Sequence, residues 1–71
     1  MADYKRYYVN KNAQDAGEHE VHTEDCKHLP STNNREYLGY FNNCQDAIKE
    51  AEKHYDNVDG CKYCCKPCHK K

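Results

Sequence analysis

Two short residue pairs in this 71-residue chain have the spacing of metal ligands. His22-x3-Cys26 lies where an expected strand runs into a loop, and Cys61-x2-Cys64 follows Gly60, which permits a sharp turn. Zinc takes four Cys or His ligands in a tetrahedron, two of them often supplied by one tight turn. Together the pairs make a Cys3His set separated by 34 intervening residues, so a bound ion would tie an early hairpin to the end of the chain. Spacing alone does not close the choice. Cys65-x2-Cys68 is a second pair of the same form, with His69 beside it. Cys61 and Cys64 are favoured because they adjoin Gly60 and leave residues 65–71 as a basic, cysteine-bearing tail. A set using Cys65, Cys68 or His69, a mixed set such as Cys61 with Cys65, a thiolate cluster, and no metal at all stay open.

The same tail matches two sharper strings. Cys65-Lys66-Pro67-Cys68-His69 has the form of a c-type haem attachment site, but haem needs a large apolar pocket, and the chain has one Phe and no Trp. A thioredoxin-type pair needs its first cysteine at the start of a helix, and the three residues after Cys68 supply none. No catalytic residue is assigned. The alternative is thiol chemistry, in which Cys64, Cys65 or Cys68, activated by zinc or by neighbouring lysines, accepts an alkyl group, senses oxidation or passes on a metal.

Positioning these groups falls to a short list of elements. Residues 4–11 are rich in aromatic and β-branched types and read as a strand. Turn chemistry over Asn12 to Gly17 and a second strand at about 18–23 complete a hairpin. Cys26 to Asn34 reads as loop, and about 36–41 as a third short strand. Beyond Phe41 the apolar period changes from two to 3.6: Cys44, Ala47, Ile48, Ala51 and Tyr55 form one stripe of a helix over about 43–55. Asn42 or Asn43 supplies the N-cap, with Asp46 in the first turn, where the helix dipole favours a negative charge. Asp56 to Gly60 is turn-forming. Cys44, on the apolar stripe, is expected to be a small buried hydrophobe, and His19, His28 and His54 are expected to be solvated. The outcome is a small α+β zinc-binding domain occupying residues 1–71, with a cysteine-rich C-terminal end.

Such a domain has little to bury. Besides Cys, Tyr and Ala, its large apolar side chains are Met1, Val9, Val21, Leu29, Leu38, Phe41, Ile48 and Val58. A chain of this size is marginal on core burial alone. Metal binding, worth about 10–16 kcal/mol in apparent free energy, becomes folding energy.

The formal net charge of −1 hides an asymmetry. Residues 1–60 carry seven Lys/Arg against twelve Asp/Glu, whereas Lys62, Lys66, Lys70 and Lys71 follow with no acid. These four lysines are the candidate nucleic-acid contacts, while the acidic remainder opposes general binding to phosphate. The N-terminus has no apolar run of signal-peptide type and no stretch reaches membrane-spanning length. The expectation is a cytoplasmic monomer with reduced thiols, no membrane association, and an unidentified protein or nucleic acid as partner. An oxidised, secreted chain is the alternative.

Tyr7-Tyr8-Val9, His22-Thr23-Glu24-Asp25-Cys26, Tyr40-Phe41, Asp46-Ala47-Ile48 and Cys61-Lys62-Tyr63-Cys64 occur in an order that resembles the zinc-binding N-terminal module of the Ada DNA-repair methyltransferase and related small bacterial modules. The resemblance spans roughly residues 6–64. It implies a zinc site made by His22, Cys26, Cys61 and Cys64. The repair protein accepts a methyl group on the first cysteine of its C-x3-C pair. That place is held here by His22, whose imidazole cannot stand in for the activated sulfur. Phosphotriester repair is therefore not expected. The leading reading is a non-catalytic module, since four protein ligands leave no open position for water; its zinc stabilises the fold and its surface meets a partner.

Overall fold

The computed structural model describes residues 4–14 and 16–70; Met1 and Lys71 lie outside them. Strands β1 (Lys5–Asn10), β2 (His19–Thr23) and β3 (Arg35–Phe41) precede helix α1 (Cys44–Ala51), which is followed by β4 (Val58–Gly60). The sheet order is β3-β1-β2-β4. β1 pairs antiparallel with both β2 and β3, and β4 runs parallel to β2. This is a small α+β domain.

Side-chain alternation along β1 sends Tyr7 and Val9 to the face covered by α1 and leaves Arg6 and Tyr8 on the other. Val21, Leu38, Ala47 and Ala51 complete the apolar centre, with Phe41, Ile48, Tyr55 and Val58 half-buried around it. Among the described residues, Val9, Val21 and Leu38 are the only large aliphatic side chains that are buried, so the core is as thin as the composition implies. Cysteine fills the rest: Cys44, Cys65 and Cys68 all belong to the same buried cluster.

Asn43 caps α1, its Oδ1 accepting from the Asp46 backbone N–H at 2.8 Å. The helix is shorter than its periodicity suggests. It ends at Ala51, and residues 52–54 continue only as turns. Tyr55 still faces the core because its N–H reaches the Ala51 carbonyl at 3.0 Å. Two further expectations are corrected. Residues 58–60 are not turn but β4, an element with no sequence alternation, made a strand by pairing with His19, Glu20 and Val21. Residues 65–70 are not a tail. They fold back on β4 through a short 3-10 turn (Lys66–Cys68), with His69 Nδ1 2.9 Å from the Gly60 carbonyl and the Lys70 N–H donating to Asp59 Oδ1 at 2.8 Å. Gly60 permits this approach, since a Cβ there would sit 2.8 Å from Cys68 Cβ and 2.9 Å from the Cys65 carbonyl oxygen.

The fold-back carries a covalent link. Cys44 is buried as expected, but its sulfur is not a thiol: it forms a disulfide with Cys68, joining the first residue of α1 to the chain end. The expectation of a fully reduced chain is corrected accordingly. Cys26, Cys61, Cys64 and Cys65 are free. No helix among the described residues is long and apolar enough to cross a membrane.

Candidate metal centre

Parallel pairing builds the site. β2 presents His22 near its end, and the turn that follows, closed by the Cys26 N–H on the Thr23 carbonyl at 3.2 Å, brings Cys26 back toward the strand. β4 runs alongside in the same direction, and the ladder continues one step further, Cys61 N–H to Val21 carbonyl at 3.0 Å. Cys61 therefore arrives beside His22 as a consequence of register. The next turn, closed by Cys65 N–H on the Cys61 carbonyl at 2.8 Å, brings in Cys64. One ligand atom from each of His22, Cys26, Cys61 and Cys64 lies within 4.8 Å of every other. This cluster could hold a metal ion.

The inner geometry is consistent within itself. Cys26 Sγ is 3.9 Å from Cys61 Sγ and 3.6 Å from His22 Nδ1, so Nδ1 is the imidazole nitrogen turned toward the sulfurs. Each sulfur also receives one backbone N–H: His28 to Cys26 at 3.4 Å, Tyr63 to Cys61 at 3.5 Å, and Thr23 to Cys64 at 3.4 Å. Hydrogen bonds of this kind favour the charged form of a sulfur. His22 and Cys61 are buried, Cys26 and Cys64 half-buried.

Burial sets the ionisation of these groups. It pushes the His22 imidazole down to about 4, with His28 adding to the effect, so the ring is neutral at pH 7. It pushes the Cys61 thiol up to about 11, and the Cys26 thiol up as well. The Cys64 thiol is raised chiefly by its hydrogen bond to Cys65 and then by burial. Three neutral thiols around a neutral imidazole carry no charge to attract water, and a cation is what would convert them to thiolates.

The other imidazole nitrogen, Nε2, is buried without a hydrogen-bond partner and faces Glu20 Oε1 at 3.8 Å. A ligand histidine commonly directs its second N–H at a carboxylate, which fixes the tautomer. Glu20→Gln is therefore expected to weaken metal affinity about tenfold. Competition against a chromophoric chelator measures this, and unchanged affinity would mean that Glu20 does not orient the ring.

The remaining sequence candidates lie elsewhere. Cys68 is consumed in the disulfide, and His69 is held against Gly60 and Asp59. Cys65 is buried, with its Sγ 3.9 Å from that of Cys64. Lys62 sits over the Tyr63 ring at 5.1 Å, Lys66 opens the 3-10 turn, and Lys70 follows His69. His19, expected in solvent, is instead half-buried and stacked on Tyr55 at 3.8 Å between ring centroids; His28 and His54 are exposed as expected, with His28 stacked on Tyr63 at 4.4 Å. The chain matches no family model, no curated protein and no solved structure. None of these comparisons links the chain to the Ada module.

Proposed function

We propose that the protein is a non-catalytic zinc module in which His22, Cys26, Cys61 and Cys64 hold one zinc ion and the ion stabilises the fold. The observation that carries this reading is the convergence of three sulfurs and one imidazole from two distant turns within 4.8 Å. Soft sulfur donors with one imidazole suit zinc among the common divalent ions, and four protein ligands leave no open position for water or substrate, the pattern of a structural site. Three thiolates and a zinc ion sum to one negative charge, to which the three N–H groups on the sulfurs are directed.

Thiol chemistry as the primary role is less well supported. Burial raises the thiols of Cys26 and Cys61 and contributes to the raised Cys64 thiol, Cys65 is shielded from solvent, and Cys68 is bonded to Cys44. A reactive thiol requires the reverse, exposure and a depressed pKa.

Native mass spectrometry of the refolded protein tests the proposal directly: one zinc per chain is expected, lost in Cys61→Ser or Cys64→Ser and retained in Cys65→Ser. Retention of zinc by Cys61→Ser, or its loss in Cys65→Ser, would overturn the ligand set. A second consequence follows from the ionisation states. Because the three thiols start protonated and His22 starts neutral, zinc uptake at pH 7 should release about three protons. Affinity should therefore rise steeply with pH. Calorimetry in buffers of different ionisation enthalpy reads the number; a value near zero would mean that the thiols were not ligands.

A further inference from the structure

The sheet face turned away from α1 carries an aromatic and guanidinium surface that the metal centre does not use. Tyr4 stacks on Tyr40 with ring centroids 5.4 Å apart, and Arg6 lies over Tyr40 at 5.7 Å. Tyr8 packs on Tyr37, also at 5.4 Å, and Arg35 lies over Tyr8 at 4.6 Å. Register explains the grouping. Arg6 pairs with Tyr40 and Tyr8 with Tyr37 across β1 and β3, and directly opposed residues share a face. Tyr37 and Tyr40 of β3, and Tyr4 just before β1, are 52%, 58% and 53% exposed, which leaves over half of each residue in water.

We propose that this face binds unpaired nucleic acid, with bases stacking on the tyrosines and phosphates meeting Arg6 and Arg35. The proposal goes beyond the structural zinc reading and relocates the nucleic-acid contact from the C-terminal lysines to β1 and β3. Three observations favour this ligand. Sequence-tolerant recognition of single strands combines aromatic stacking surfaces with cations along the backbone path, and here each of the two ring pairs has a guanidinium seated on it. Tyr4 and Tyr8 are four residues apart on one extended segment, about 13 Å at roughly 3.3 Å per residue. Duplex bases already stack on one another and offer no free face to rings so placed, whereas splayed bases of a single strand do. The surface is also a face rather than a groove, which suits flat bases better than a proline-rich peptide, whose usual site is an aromatic-lined groove. Arg6 is the more committed cation, paired with Glu24 at 3.7 Å; Arg35 donates to the Pro30 carbonyl at 3.2 Å.

Fluorescence anisotropy of the zinc-loaded protein with a labelled twelve-nucleotide thymidine oligomer at low salt tests this. Binding is expected to be weaker for a duplex of the same length and to fall with salt with a log–log slope of about −1.4, the value for two phosphate contacts on a single strand. Tyr40→Ala and Tyr37→Ala are each expected to weaken binding roughly tenfold, with Tyr40→Phe close to wild type, because stacking needs the ring and not the hydroxyl. Zinc stoichiometry and thermal midpoint of each variant establish that it is folded, which separates loss of this surface from loss of the metal centre. The proposal is overturned by any of four results. These are no binding by folded, zinc-loaded protein, equal affinity for duplex, loss of binding in Lys62, Lys66 and Lys70 variants but not in the tyrosine variants, or concentration-dependent dimerisation through this face that excludes the oligonucleotide.

Discussion

Removal of zinc is expected to abolish the native fold. Stripping the metal with a chelator, or replacing Cys61 by Ser, should collapse the amide dispersion of the NMR spectrum and most of the tyrosine near-UV circular dichroism. The reason is one of scale. Small domains retain roughly 0.05–0.15 kcal/mol of stability per residue, whereas a structural zinc site contributes about 10–16 kcal/mol in apparent terms. The core cannot cover the difference, since Val9, Val21 and Leu38 are its only buried large aliphatic residues among those described. The site also supports the sheet. β4 has three residues, and its far end is held to β2 through Cys61 and His22. Without the ion, only weak sulfur contacts such as Cys26 Sγ to Cys61 Sγ at 3.9 Å hold the three thiols and the imidazole at that junction. A dispersed amide spectrum in excess chelator would sink the idea that the metal is structural.

The second large effect is expected from the disulfide. Cys44→Ala/Cys68→Ala, with zinc retained, should lose about 3 kcal/mol of stability, the value for a link closing a loop of this order, given a sequence separation of 24. For a chain of this size that corresponds to a drop of about 12–24 °C in the melting temperature. Reduction of wild-type protein with a phosphine in the presence of zinc should give a similar drop, and the two should not add. The comparison separates the link from the packing, because alanine at both positions removes the sulfurs as well as the bond. A melting temperature unchanged by both reduction and the double substitution would show that the fold-back of residues 65–70 is held by hydrogen bonds and packing alone.

The sequence revealed some features because their determinants are local. The start of α1 is visible in Asn43 and Asp46, since capping involves neighbours in the chain. The two ligand pairs are visible because each is made by a single turn. What the sequence concealed depends on contacts between distant residues. Val58-Asp59-Gly60 has no strand signature of its own and becomes β4 only beside β2. Tyr55 marks a stripe that outlasts the helix by four residues, because a turn returns its ring to the same side. Cys44 carries the signature of a core residue, and it is one; that its partner is Cys68 follows only from the path of the chain after Gly60. The tyrosines of β1 and β3 carry a strand signature in the sequence. Their grouping with two arginines could have been suspected from the aromatic excess, but the register with its irregularity at Tyr7/Tyr8 is what places them on one face.

The order of the linked residues along the chain has its own consequence. His22 and Cys26 precede Cys44, Cys61 and Cys64 come after it, and Cys68 is last, so the metal centre and the disulfide are interleaved rather than nested. With both links in place, a backbone cut anywhere between residues 45 and 60 leaves two fragments joined twice, once by coordination and once covalently. Glu52, Lys53 and His54, after α1, are exposed residues within that span. A nick there would add one water to the mass of the particle and release no fragment until metal and disulfide had both been removed.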